Sequence, residues 1–319
     1  MSNPVHNAHV ASPLFNPNFS FSTYNTNSLF NYAHKTDVNR KHRTKNINTL
    51  CSQHDFVLIQ DVRLYPSETH NHTLHDYINK GDKFFHSLAP PTQKKDGTKV
   101  ANAGVITVVS SEVLKSYNIS VMPLPNSLAG RALLLRASAK EGREKGTFYV
   151  LNLYLTPSSH ASNRIEIDTL YTHLKSIIDS QLIMAGDFNF VENPTKDTAS
   201  GAKSYDLPDN FFTTWNKFLD TYNLKEVHQD THTYMEPGKL VTSRLDRFYI
   251  SIGEAEWAAH QPHTHIAGIP HSLINSHKVF TYEGGVQKKV KISFGSDHYP
   301  VSLRFARPPP LHQEGSHHP

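Results

Sequence analysis

Asp187 and Asn189 close the run Leu182-Ile183-Met184-Ala185-Gly186-Asp187-Phe188-Asn189. Its four apolar residues read as a buried strand, and Gly186 lets the backbone turn sharply. The carboxylate and the amide then follow at the strand's C-terminal end, where α/β sheets place their chemistry. Residues two apart on extended backbone share a side, so both groups are aimed into one space. The rival reading is an Asx turn that ends a strand. Polar groups recur wherever other apolar runs stop: Asn25 after Tyr24, Asp61 after Ile59-Gln60, Tyr154 after Leu153, Asp246 after Leu245, and Asp297-His298 just ahead of a final strand. Such a set points to convergence on one pocket.

The chemistry that suits these groups is phosphodiester cleavage. A hard cation such as Mg²⁺ prefers carboxylate and amide oxygens and keeps waters for itself and the substrate. It polarises a phosphate oxygen and steadies the leaving oxygen. A histidine beside a carboxylate serves as base or as donor to the phosphate. Asp61, Asp187, Asp246, Asp297 and His298 supply these parts. For any one of them alone, a strand-end turn or a solvated carboxylate is the rival account. Cys51 lies in no comparable setting, and no Gly-rich phosphate loop is present.

These groups need strands to carry them. Residues 19–24 alternate with period two and read as a strand. Residues 37–53 read as an amphipathic helix on Val38, Ile47 and Leu50, and Phe56 to Ile59 as a second strand. That is a βαβ-like start. Further strands are expected at Val105 to Val109, Ala132 to Ala137, Thr147 to Leu155, residues 182–187, Leu245 to Ile250 and Val301 to Phe305. A polar hairpin connection is expected at 141–146. Helices are expected over 160–179, on Ile167, Leu170, Leu174 and Ile177, and over 209–222, on Phe212, Trp215, Phe218 and Leu219. Two sheets packed face to face with helices outside each absorb these elements.

The chain has 319 residues, a charged fraction of 19% and a net charge of +4. That permits a polyanionic partner without demanding one. No apolar run is long enough to span a membrane, and residues 1–17 have no signal-peptide pattern. A single cysteine, Cys51, excludes an internal disulfide and fits a reducing cell interior. The expected organisation is a flexible tail over 1–17, one domain over 18–306 and a Pro- and His-rich tail over 307–319. His70, His72 and His75 crowd together, but a zinc site needs further ligands in tetrahedral geometry.

Taken in order, six segments resemble the exonuclease–endonuclease–phosphatase superfamily. Tyr24-Asn25-Thr26-Asn27-Ser28-Leu29 resembles the family's Trp-Asn-x-x-Gly-Leu, Leu58-Ile59-Gln60-Asp61 its Leu-x-Gln-Glu, and Asn152-Leu153-Tyr154 its Asn-x-Tyr strand. Gly186-Asp187-Phe188-Asn189 matches the Gly-Asp-Phe-Asn motif, and Ser243-Arg244-Leu245-Asp246-Arg247 with Ser296-Asp297-His298-Tyr299-Pro300-Val301 completes the set. The resemblance implies a four-layer α/β/β/α sandwich and a divalent cofactor, Mg²⁺ or alternatively Mn²⁺. It implies that Asn25, Asp61 and Asp297 hold or surround the ion. Asp187 and Asn189 would position the attacking water and the phosphate. Tyr154 would contact the phosphate or support the nucleophile. His298 would act on the phosphate, oriented by Asp246; His298 and Asp187 both stand as general-base candidates.

Within the superfamily the last three motifs are most similar to endonuclease domains of LINE-type retrotransposons. That implies a DNA-nicking enzyme in an intracellular, nuclear setting with DNA as partner; the sequence gives no membrane partner and no protein partner is evident. Tyr234 and Arg244 are the DNA-contact candidates it suggests. Lys99 joins them from the Pro- and Lys-rich loop 88–99, with Lys94 and Lys95. The alternatives are an apurinic-site repair endonuclease and a decayed nuclease domain that binds nucleic acid without cutting. Phosphoinositide phosphatases usually show Cys-Asp-Arg where this chain has Leu245-Asp246-Arg247.

The chain departs from the family pattern in five places. Asp61 replaces the metal-ligand glutamate and is shorter by one carbon–carbon bond, roughly 1.5 Å. Mg²⁺ tolerates little distortion of oxygens at roughly 2.0–2.1 Å. Reduced but present Mg²⁺-dependent activity is therefore expected. Asp61→Glu should raise the nicking rate, and an unchanged rate means that the short carboxylate is not limiting. Tyr24 and Ser28 are mild replacements for Trp and Gly. Leu155-Thr156-Pro157 replaces Ala-Pro-Asn, so no asparagine contact is carried over there. The span from Ile250 to Ser296 is longer than expected, with Lys288, Lys289 and Lys291 as DNA-backbone candidates in a loop.

Overall fold

The runs Phe21–Asn25 and Phe56–Gln60 are buried throughout and pair in parallel, with the helix Val38–Gln53 crossing between them. The expected βαβ opening is what the chain forms. A second such unit joins Thr147–Tyr154 and Gln181–Asp187, also parallel, through the helix His160–Leu174. The computed structural model describes residues 19–29, 38–65, 78–97, 99–141, 146–157, 159–198, 208–235, 242–266, 277–283, 286–292 and 296–306. Both expected tails, the histidines at 70, 72 and 75, and most of the 141–146 connection lie outside the described residues.

Each unit nucleates a six-stranded sheet. The first runs His263–Ile266, Val301–Arg304, Phe21–Asn25, Phe56–Gln60, Gly104–Val109, Lys83–Leu88. The second runs Lys225–Glu226, Asp246–Ile250, Gln181–Asp187, Thr147–Tyr154, Ala132–Ala139, Tyr117–Met122. Alternate residues of each sheet meet in one central core: Phe21, Phe56, Leu58 and Val105 from the first, Leu133, Phe148, Ile183 and Phe248 from the second. The remaining faces are covered by helices. Ile47 and Leu50 of Val38–Gln53 pack on Val57, Ile59, Ile106 and Val108. Ile167, Leu170 and Leu174, with Trp215 and Phe218 of Asp209–Thr221, pack on Leu134, Tyr149, Leu151 and Met184. The result is the expected four-layer α/β/β/α sandwich, held by burial of alternating apolar faces.

One polar bridge crosses the central core. Gln60 Nε2 donates to Asn152 Oδ1 at 2.8 Å and to Thr23 Oγ1 at 2.9 Å. Asn152 Nδ2 donates back to Ile106 O at 2.9 Å. Gln60 and Asn152 are both fully buried, so these bonds tie the two sheets together just behind Asp61 and Tyr154, although Gln60 Oε1 has no partner among the described residues.

The strands that the apolar pattern does not reveal are edge strands. Apart from the buried Tyr117, the positions of Lys83–Leu88, Tyr117–Met122 and His263–Ile266 are half-buried or exposed, so their sequences carry little apolar signal. The short helix Ser111–Ser116, capped by Ser110, also escapes the pattern. The expected loop between Ile250 and Ser296 contains an antiparallel hairpin, His277–Glu283 with Val286–Ile292, and its second strand includes Lys288, Lys289 and Lys291. No helix among the described residues is long and apolar enough to cross a membrane.

Candidate active site

Strand direction brings the polar residues together. Asn25, Tyr154 and Asp187 end three strands of the two parallel units, and Asp61 follows the fourth. Asp246 begins the strand antiparallel to Gln181–Asp187 and sits directly opposite Asp187. Asp297 and His298 precede Val301–Arg304, which runs antiparallel to Phe21–Asn25. Antiparallel strands start where their parallel neighbours stop, so all of these residues reach the same edge of the sandwich. A cavity of about 430 Å³ opens there, lined by Asn25, Asp61, Tyr154, Asp187, Asn189, Tyr234, Asp297 and His298 among others.

The opening strand reaches this edge by a device that differs from the expected sharp turn. Gly186 stays in the strand, at φ 151°, and presses against Leu153; a Cβ there would lie 1.8 Å from the Leu153 carbonyl oxygen. Asn189 is not on extended backbone but at φ 51°. It meets Asp187 through an Asx turn, its N–H donating to Asp187 Oδ1 at 2.9 Å and its Nδ2 to Asp187 Oδ2 at 3.1 Å. The turn and the site are thus one object: the Asx geometry aims the carboxylate.

Asp187 is also held from the other sheet, because Asn25 Nδ2 donates to its Oδ2 at 2.7 Å. His298 Nδ1 bonds Asp246 Oδ2 at 2.8 Å, which leaves Nε2 pointing into the cavity, 4.0 Å from both Asp187 Oδ2 and Asp297 Oδ1. Burial disfavours charge on His298, but Asp246, and then Asp187 and Asp297, outweigh it and hold the imidazole protonated well above its usual range. Burial pushes the Asp187 carboxyl up, against the pull of His298. Burial, then Asp61 and Asp187, keeps the Tyr154 hydroxyl protonated, so it offers a donor and no base.

Asp187, Asp246 and His298 bring ligand atoms within 4.8 Å of one another. Within that group His298 Nδ1 and Asp246 Oδ2 are bonded to each other. Asn25, Asp61 and Asp297 line the same cavity and could offer an amide oxygen and two carboxylates. That oxygen set suits a hard divalent ion. Asn27 braces it, donating from N to Asn25 Oδ1 at 2.8 Å and from Nδ2 to Asp297 Oδ1 at 2.8 Å. Neither Asn27 nor Arg63, whose Nε donates to Asp61 Oδ1 at 3.0 Å, stands out in the sequence. Each lies two residues from a motif residue, which is the only signal that marks it.

The three DNA-contact candidates separate. Tyr234 lines the cavity with its ring 4.9 Å from the His298 ring. Lys99 is exposed on the two-residue strand Lys99–Val100, outside the cavity lining. Arg244 is corrected: it is 3% exposed and forks onto Asp197 at 2.8 Å from Nε and 2.6 Å from Nη2, with Glu226 as second partner. Arg247, fully buried, bonds the Arg244 carbonyl and rests by Phe190. The two arginines brace the turn that delivers Asp246. Removing one partner of a buried pair strands the other charge, so Arg244→Ala should lower unfolding stability by about 3–5 kcal/mol in urea titration. Arg244→Met should leave the salt slope of DNA binding unchanged, whereas losing a phosphate contact lowers it by about 1.

A face-to-face sandwich thus carries a His–Asp pair and a set of oxygen donors at one edge. The sequence matches the model of the endonuclease/exonuclease/phosphatase family over residues 22–298, and the chain belongs to that family. Its members are hydrolases of phosphate esters. No curated protein matches. Solved structures share the fold at low identity. An AP endonuclease from Leishmania major has 18% identity and a TM-score of 0.58, with 92% of this chain and 90% of that one covered. An AP endonuclease from Archaeoglobus fulgidus has 15% identity and a TM-score of 0.56, with 90% and 99% covered. The endonuclease domain of TRAS1, a telomere-specific non-LTR retrotransposon, has 12% identity and a TM-score of 0.50, with 90% and 98% covered.

Proposed function

We propose that this chain is a divalent-metal-dependent endonuclease that hydrolyses phosphodiester bonds in DNA, of the retroelement nicking type. The observation that carries the reading is the buried His298–Asp246 pair facing Asp187 across 4.0 Å in the cavity that also holds Asn25, Asp61 and Asp297. Asn25, Asp61 and Asp297 would hold Mg²⁺ or Mn²⁺, which would supply a Lewis acid for the phosphate and the leaving oxygen. His298, charged and fixed by Asp246, donates from Nε2 to a phosphate oxygen. Asp187 takes the proton of the attacking water, its pKa raised toward neutrality as a base requires. Asn189 positions Asp187, and Tyr154 donates to the phosphate. Tyr234 flanks the bound nucleotide, and Lys99 lies further out on the DNA track.

A pH profile tests this division of roles. Asp187 acts only when ionised, so the rate rises with pH through its raised pKa. His298 donates only while protonated, so the rate falls through its own raised pKa. Both limbs should therefore lie above those of an ordinary aspartate, about 4, and histidine, about 6.5. Asp246→Asn removes the charge that supports His298 and should bring the alkaline limb down. An alkaline limb that stays in place removes His298 from the donor role.

Abasic-site cleavage is the second reading, favoured by the apolar wall of Phe190, Val191 and Leu245 beside the polar groups. An exposed deoxyribose fits such a wall. The AP endonucleases among the structural relatives, and a Neisseria 3′ phosphatase solved with a product DNA hairpin, agree with a DNA substrate. The test sets intact supercoiled plasmid beside a duplex with one abasic site, in Mg²⁺. The leading reading expects nicking of both at comparable rates. Cleavage confined to the abasic duplex replaces it with the repair reading, and cleavage of neither sinks both.

A further inference from the structure

Arg63 is a cation placed where the cavity would hold its metal. Asp61 and Arg63 both sit on left-handed backbone, at φ 52° and 49°. Aspartate visits that region more often than most residues, but arginine rarely does. Val62 between them is fully buried, its N–H bonded to the Gly104 carbonyl at 3.1 Å. The core thus pins a tight bend that turns the carboxylate and the guanidinium into the same cavity. Such strain persists only where the surroundings enforce it. Arg63 Nε donates to Asp61 Oδ1 at 3.0 Å, with the Asp61 side chain 3% and the Arg63 side chain 42% exposed. Nε spends one of the five donors of a guanidinium; the Nη groups carry the other four, and Tyr154 is a further side-chain hydrogen-bond partner of the group.

We propose that Arg63 is a second cation of the cleavage site: it competes with the divalent ion for Asp61 and supplies, from its Nη groups, a metal-independent contact to the substrate phosphate. The phosphate half rests on the nuclease reading above; the competition for Asp61 does not. A guanidinium matches phosphate bidentately and cannot deprotonate. A like charge beside an ion site lowers affinity for the ion, and solvent at the exposed end of Arg63 limits the effect. The short carboxylate at Asp61 fits this arrangement: it reaches Arg63 directly, so part of its charge is already neutralised in the metal-free protein.

Two measurements on the whole chain test it. Mn²⁺ affinity is read directly from the spin-resonance signal of the free ion, and affinity for a short labelled DNA duplex is read in chelator. Arg63→Ala should bind Mn²⁺ about tenfold more tightly and bind the duplex without metal about tenfold more weakly. Arg63→Lys keeps the charge and loses the fork, so it should stay near the native chain in Mn²⁺ affinity and fall between the two in duplex affinity. Thermal melting of each variant identifies any that fails to fold, and Arg63→Gln then replaces it. Mn²⁺ affinity unchanged or weakened in the alanine variant overturns the proposal, as does unchanged duplex affinity in chelator. A native chain that binds Mn²⁺ and no duplex instead overturns the nucleic-acid reading, while the Mn²⁺ comparison still decides the competition.

Discussion

Asp187→Asn should lower the nicking rate by three orders of magnitude or more, with the fold intact. The change keeps the side chain's shape and removes its charge and its basicity. Loss of a general base alone costs about 10²–10⁴ in rate. Here the same carboxylate also gathers donors from both sheets, Asn25 at 2.7 Å and Asn189 at 2.9 Å. An amide cannot accept all of those bonds with one oxygen, so the water it should orient is also displaced. Single-turnover nicking under saturating protein isolates the chemical step. A loss of less than tenfold would take Asp187 out of the reaction. Far-ultraviolet circular dichroism and the melting temperature should stay close to the native values, which separates this variant from the next.

Gly186→Ala should damage the fold itself. The new methyl would sit 1.8 Å from the Leu153 carbonyl oxygen and 2.7 Å from its carbon, in the central pair of the second sheet. Both contacts are to backbone, so no side-chain rotation relieves them. The positive φ of 151° adds conformational cost for any L side chain. Opening the parallel pair Thr147–Tyr154 and Gln181–Asp187 would also break the bridge from Asn152 to Gln60 behind it. A loss of about 4 kcal/mol is expected, at the upper end for one substitution. Urea unfolding gives the number, and a loss under about 1 kcal/mol would show that the strands can part there cheaply.

Much of this organisation is legible in the residues because the central strands are apolar on both faces. Leu182 to Ala185 and Phe56 to Ile59 could only be interior, and the polar residues at their ends could only gather at one edge. Gly186 and Asn189 are legible as positions and not as mechanisms. The close approach to Leu153 and the left-handed Asn189 depend on a neighbouring strand and a turn that lie outside the octapeptide. Arg244 shows the opposite limit. In sequence it is a basic residue beside a site aspartate, which suits DNA. Its partners Asp197 and Glu226 are 47 and 18 residues away, and nothing local announces them. The edge strands are hidden for a simpler reason: half-exposed residues carry no pattern that separates strand from loop.

Arg63 belongs with the illegible part. Two residues beyond Asp61, it reads as surface charge, and only the bend pinned by Val62 turns it inward. Its presence also sharpens the Asp61→Glu expectation. The longer carboxylate must reach a metal while Arg63 pulls on it, so the gain in rate should be larger when Arg63 is also replaced.

The most direct test of the account is supercoiled-plasmid relaxation by the native chain in Mg²⁺, in Mn²⁺ and in chelator, run beside Asp187→Asn. Single-strand nicks are expected with either metal, none in chelator, and none from the variant within the same time. Nicking that persists in chelator, or that survives intact in Asp187→Asn, would contradict it.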